Sequence, residues 1–238
     1  MGPIKIVFVF ALLTVSVTQT VVAQTTRPRT NQTTLSNTDI SKGLKEALFQ
    51  GVRNAVNDLG RQNGFLDNSR VRIPLPSGLR KTEKALRAVG QGQKVDEFVA
   101  SINHAAEKAV PIALNVFLDS IKQMSFSDAR NILFSGQQDS ATQFFRRTSE
   151  ARLRGLFRPI VEDATEQVGV TQKYKSMIGR YGVFGKVFGQ DATDLDGYVT
   201  QKALDGLFLL IADEEAKIRR DPIGQATSIL RRVFGAIR

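Results

Sequence analysis

Apolar residues recur every three or four positions along most of this chain, and alternating stretches are almost missing. From Val95 the stripe runs through Phe98, Ile102, Ala106, Ala109, Ala113, Phe117 and Ile121, the spacing of one helix face rather than the period of two of a strand. It recurs in Ile40, Leu44, Leu48, Val52, Val56 and Leu59, and again in Val199, Ala203, Leu207, Ile211 and Ile218. Helices patterned this way bury their stripes only against one another. We therefore expect a single all-α domain of about eight or nine helices over residues 36–238. One short extended segment is expected near residues 71–75, where Pro74 and Pro76 forbid helix. Pro111 sits inside the longest stripe and should kink or break it.

Local signals divide the chain. Ser36-x-x-Asp39, Ser125-x-x-Asp128 and Thr193-x-x-Asp196 each have the form of a capping box. Gly60, Gly90 and Gly136 read as stops. Ser77 should open a helix reaching Val89. Asp139 should cap a helix that continues past Pro159, and Thr171 another that reaches Tyr181. The segment GVFGKVFGQ reads as a loop, and Pro222 should separate the last two helices.

The first residues, MGPIKIVFVFALLTVSVTQTVVAQ, place one lysine before an apolar run from Ile6 to Val17. That run is shorter than the roughly 20 residues of a membrane span, and Val21-Val22-Ala23 offers small residues to a signal peptidase. Residues 1–23 are expected to be a cleaved secretory signal and 24–35 a disordered leader, giving a periplasmic or secreted protein with no transmembrane segment after cleavage. The chain carries a net charge of +10 and no cysteine. Thiol catalysis and zinc–thiolate sites are thereby excluded, and a domain of this size needs no disulfide to hold its core.

The acidic stretch DATDLDGYVTQKALDGLFLLIADEEAKIRR raises the question of calcium. Placing Asp194, Asp196 and Gly197 at the third, fifth and sixth positions of a calcium loop leaves Ala192 and Ala203 at the first and twelfth, where carboxylates are required. A helix start with negative charge at its positive end is the simpler reading. Farther along, Asp213 with Lys217 and Glu215 with Arg219 have the spacing of surface ion pairs. Glu214 falls on the apolar stripe instead. It is expected to pair with a cation from another helix, or else to belong to a functional pocket. No metal site and no cofactor is expected. His104 is the only histidine, lacks an evident nucleophile or second ligand, and should be exposed. If the protein were a hydrolase, its acid–base pair would come from Glu107, Asp119 and Glu214, each of which has a structural reading as an ion pair.

The positive charges are better organised. Arg80, Lys84 and Arg87 share one helix face, with Lys81 beside them and Leu79, Leu86 and Val89 opposite. Arg147, Arg154 and Arg158 form a second row. Arg231, Arg232 and Arg238 surround the apolar Leu230, Val233, Phe234 and Ile237 in the last predicted helix. Basic amphipathic helices lie on anionic lipid or bind acidic polymers, although a solvated face also carries such residues. Nucleic acid would suit the charge, but export removes the usual opportunity.

Four separated stretches, VRIPLPSGLRK, SINHAAEKAVP, MSFSDARNILFSGQQDSATQFF and DLDGYVTQKALDGLFLLIADEEAKIRRDP, resemble in that order a bacterial family, domain of unknown function 4197. The resemblance spans about Leu35 to Gly235. It implies an exported, mostly helical bacterial protein and carries over no activity and no catalytic residue. Arg is more usual in that family where this chain has His104. The sequence thus favours an exported, non-catalytic helical protein that binds an anionic envelope polymer, a lipid surface or a protein partner. A carboxylate-based hydrolase acting on an envelope polymer is the alternative.

Overall fold

A computed structural model describes residues 37–180 and 190–221. The expected signal, the leader, Ser36 of the first capping box, nearly all of the GVFGKVFGQ loop and the helix after Pro222 lie outside these residues. Within them the protein is all-α and a single domain. Nine α-helices are described: α1 (Asn37–Gly60), α2 (Arg80–Ala88), α3 (Gly92–Ala109), α4 (Ala113–Gln123), α5 (Phe126–Phe134), α6 (Ser140–Glu166), α7 (Gly169–Arg180), the single turn α8 (Gln190–Thr193) and α9 (Leu195–Arg220). No strand is present among the described residues.

The apolar stripes of α1, α3, α6 and α9 meet in one core, with α9 packed against α6, α1 and α3. Phe65, Phe117, Phe145, Phe157 and Phe208 are wholly buried in it. Phe117 meets Phe145 and Phe208 edge-on, with centroids 5.0 and 6.0 Å apart. Such pairs add about 0.5–1.5 kcal/mol each beyond the area they bury. Arg146 lies over the outer side of the Phe208 ring, 4.4 Å from its centroid.

The prolines act as their chemistry requires. At Pro111 the long stripe breaks into α3 and α4, joined by the 3₁₀ turn Val110–Ile112. Pro159 leaves α6 continuous. Its missing N–H would have bonded the carbonyl of Gly155, and since both residues are exposed, water can serve that carbonyl instead.

Between α1 and α2 the chain makes a long irregular crossing over the core. The segment around Pro74 and Pro76 has no sheet partner; a side chain supplies the missing bonds. Buried Asn103 of α3 accepts from the Ile73 N–H at 2.8 Å, and its amide donates to the Ile73 carbonyl at 2.9 Å and to Val99 O at 2.8 Å. Tyr198 adds a bond from its hydroxyl to Pro74 O at 3.0 Å. Phe65 and Val71 of this crossing pack directly on Gly206 of α9.

Candidate functional site

The three candidate acids sit on different helices, and none shares a hydrogen-bond partner with another. Glu107, in the last turn of α3, is buried and accepts from the backbone N–H groups of Asn63, Phe65 and Leu66 at 3.1, 3.1 and 3.3 Å. It fastens the turn that follows α1. His104, half-buried rather than exposed as expected, sets Nδ1 2.9 Å from the same carboxylate. Asp119 pairs at the surface with Arg152.

Glu214 is buried, as its place on the stripe required. Its cationic partner, however, is Lys217 of its own helix, and the contact from another helix is the neutral amide of Asn54, at 2.9 Å. The reason is space. α1 comes so near at Gly51 that a Cβ there would stand 3.3 Å from the Glu214 Cβ. A long cationic side chain cannot enter that gap, and the amide one turn farther on reaches the carboxylate.

The neighbouring acids divide in a way their spacing does not reveal. Asp213 turns to Arg70 of the crossing segment rather than to Lys217. Glu215 pairs with Arg219 as expected but is buried, not solvated. It accepts from the N–H groups of Ala141 and Thr142 at 3.0 and 2.8 Å and from the Thr142 hydroxyl at 2.9 Å. Asp139 occupies the N-cap position of α6 without a side-chain cap bond, so this carboxylate from α9 caps the helix in its place.

At the start of α9 the cap is Asp194, one residue later than the predicted Thr193. Its side chain accepts from the Gly197 N–H at 3.0 Å. Burial works against its charge, but the bonds from Arg158 and from Gly197 outweigh it and hold the carboxyl below the usual range. Asp196 receives the Thr165 hydroxyl and lies 2.8 Å from the Lys175 ammonium. Both acids of the supposed calcium loop therefore face cations of this chain.

The two basic rows differ. On α6, Arg147 reaches Asp128 and stacks on Phe144, Arg154 pairs with Glu150, and Arg158 pairs with Asp194. Arg154 and Arg158 also border an open polar groove of about 310 Å³ with Asp191, Tyr198, Gln201 and Lys202. Sequence reading missed Tyr198, Gln201 and Lys202, though with Asp194 they share one face of α9 at three- and four-residue spacing.

On α2, Arg87 is tied to Glu83 and to Asp96 of α3, which raises its pKa through those bonds. Arg80, Lys81 and Lys84 make no ion pair among the described residues. The apolar side of α2 departs from expectation. Only Leu79 is buried, while Leu86 is 38% and Val89 71% exposed. The helix has only the 3₁₀ turn Ser77–Leu79 that precedes it and α3 as main neighbours, so nothing described covers its far end.

The family model for a protein of unknown function (DUF4197) matches residues 34–235, which include every described helix. The chain belongs to the DUF4197 family. No curated protein and no solved structure matches it. Among the described residues of this DUF4197 chain, α2 carries unpaired cations on one side and bare apolar side chains on the other.

Proposed function

We propose that this protein is exported and acts without catalysis, docking α2 on an anionic lipid surface of the cell envelope. The observation that carries this reading is the pairing, on one helix, of free Arg80, Lys81 and Lys84 with exposed Leu86 and Val89. Charge alone would suit an acidic polymer. The bare apolar residues favour lipid, because they gain by entering the headgroup boundary while the cations meet phosphate. No described helix is long and apolar enough to cross a membrane, so attachment would be interfacial. Commitment of Glu107, Asp119 and Glu214 to partners of their own weighs against the hydrolase alternative.

The test is co-sedimentation with vesicles of phosphatidylglycerol and phosphatidylcholine. Each cation near an anionic membrane contributes about 1 kcal/mol, so Arg80→Glu/Lys81→Glu/Lys84→Glu should lower partitioning by roughly 100-fold or more. Arg87 is left alone because its bridges hold the helix. Wild-type binding should weaken across ordinary ionic strength, where screening shortens to about 10 Å. Leu86→Ser/Val89→Ser should weaken binding and leave the salt slope unchanged. Equal sedimentation of wild type and the triple variant, with unchanged circular dichroism, overturns the proposal.

A further inference from the structure

The α2 reading makes no use of the groove between α6 and α9. It holds about 310 Å³, at the lower end of the range for small-molecule sites. Arg154 and Arg158 stand one turn apart on its α6 wall, Lys202 comes from α9, and Asp191 of α8 adds a carboxylate.

These cations are not equally committed. Asp194 holds Arg158 through both Nη atoms, at 3.1 and 2.9 Å, and largely neutralises it. Arg154 gives Glu150 one bond, from Nη2 at 3.1 Å, and the same carboxylate also receives Arg146 at 3.3 Å. One carboxylate cannot neutralise two guanidinium groups. Lys202 has only Asp205 as ionic partner among the described residues, 3.9 Å away and beyond hydrogen-bond reach. Positive charge and N–H donors are therefore left over at Arg154 and Lys202. Both side chains are nearly half exposed, so a ligand can reach them.

The α9 wall is held in place. The Tyr198 hydroxyl donates to Pro74 O at 3.0 Å, and the Lys202 ammonium lies 5.9 Å from the centre of its ring. Burial, with Asp191 adding to the effect, pushes the Tyr198 phenol up to about 12, so it stays neutral and does not repel an anion. Gln201 commits its amide N–H to Asp205 at 2.9 Å. Its carbonyl and the Asp191 carboxylate remain as acceptors, which hydroxyl groups satisfy. Cations arriving from two helices suit the tetrahedral oxygens of phosphate, whereas a planar carboxylate matches the fork of a single arginine.

We propose that this groove binds a phosphate ester bearing free hydroxyls, of the size of glycerol phosphate. The phosphate lies at Arg154 and Lys202, and the hydroxyls donate to Gln201 and Asp191. The free ester and the headgroup of phosphatidylglycerol offer the same chemistry.

The test is calorimetric titration of the full chain with glycerol 3-phosphate, inorganic phosphate and glycerol. The ester should bind saturably, at about 1 mM or tighter, and inorganic phosphate several-fold more weakly. Arg154→Gln/Lys202→Gln should weaken the ester by at least about 10-fold, with circular dichroism as control. Should that variant fail to fold, Lys202→Gln alone supplies the comparison. Asp191→Asn should weaken the ester and leave inorganic phosphate no weaker. Absence of saturable binding, or equal affinity in wild type and variant, overturns the proposal. So does inorganic phosphate binding as tightly as the ester, which would mean an adventitious ion only. Vesicles distinguish the two sources, using Arg80→Glu/Lys81→Glu/Lys84→Glu as background to silence α2. Preference for phosphatidylglycerol over phosphatidylserine, abolished by Arg154→Gln/Lys202→Gln, assigns the groove to the lipid headgroup; its absence assigns it to the free ester. The titration needs no membrane, so its failure leaves α2 docking standing, and failure of α2 docking leaves the groove standing.

Discussion

Asn103 shows how much of this fold rests on single polar side chains inside the core. One amide replaces the neighbouring strand that Ile73 would otherwise need, meeting both its N–H and its carbonyl. Asn103→Leu keeps the volume and removes the bonds. It leaves two buried backbone groups unmet, each costing about 1–3 kcal/mol. The expected result is a loss of about 2–4 kcal/mol in urea unfolding, with the urea dependence (m value) unchanged. A loss below 0.5 kcal/mol, taken as about the scatter of surface substitutions, would show that water replaces the amide. Nothing in the sequence marks Asn103 for this role: it adjoins Ile102, and the stretch SINHAAEKAVP that contains it carries a family likeness but no structural assignment. Glu214 was legible as buried because the apolar stripe passes through it. Its partners were not, because they depend on how closely α1 approaches at Gly51.

Helix ends were read with mixed success, and the difference is physical. Ser125 and Asp128 form a complete capping box whose four residues are contiguous, so the local signal suffices. The start of α6 is capped by Glu215, from more than seventy residues away, and no local pattern announces that. α9 lies between these cases, since its Asp194 cap is local but its Arg158 partner is not. A pH dependence follows. The folded-state pKa of Asp194 lies below its ordinary value. The charge therefore stabilises the protein above about pH 4, and that contribution is lost as the pH falls through the lowered value. Asp194→Asn retains a capping side chain and removes the charge. Its deficit at pH 7 should be under about 1 kcal/mol, because the bridge is largely exposed. In thermal melts that deficit should shrink toward zero as the pH falls below about 4, the ordinary aspartate value. A deficit constant with pH would assign it to packing.

For the whole molecule, α9 is the hinge of the design. The residues that cross over the core rest on it at Gly206, where a Cβ would come within 2.8 Å of Phe65 Cε1 and 3.2 Å of Val71 Cβ. Gly206→Ala should therefore destabilise by about 1–2 kcal/mol, the overpacking cost exceeding the gain in helix propensity. Gly155→Ala on α6, where a Cβ meets nothing within 4 Å, should stabilise by up to about 1 kcal/mol. Melting curves moving in the same direction for both would refute this account of the packing. All-α architecture was evident from periodicity alone, whereas the bare side of α2 was not, since the pattern of Leu79, Leu86 and Val89 promises burial that only neighbours can supply. The late position of α9 bears on biosynthesis. A polypeptide emerges from its N-terminus, and until Leu195–Arg220 has followed, α1, α3 and α6 lack the surface that separates their cores from water and from other nascent chains. Chaperone capture of ribosome-stalled fragments should therefore persist through residue 194 and fall only when the stall point clears Arg220.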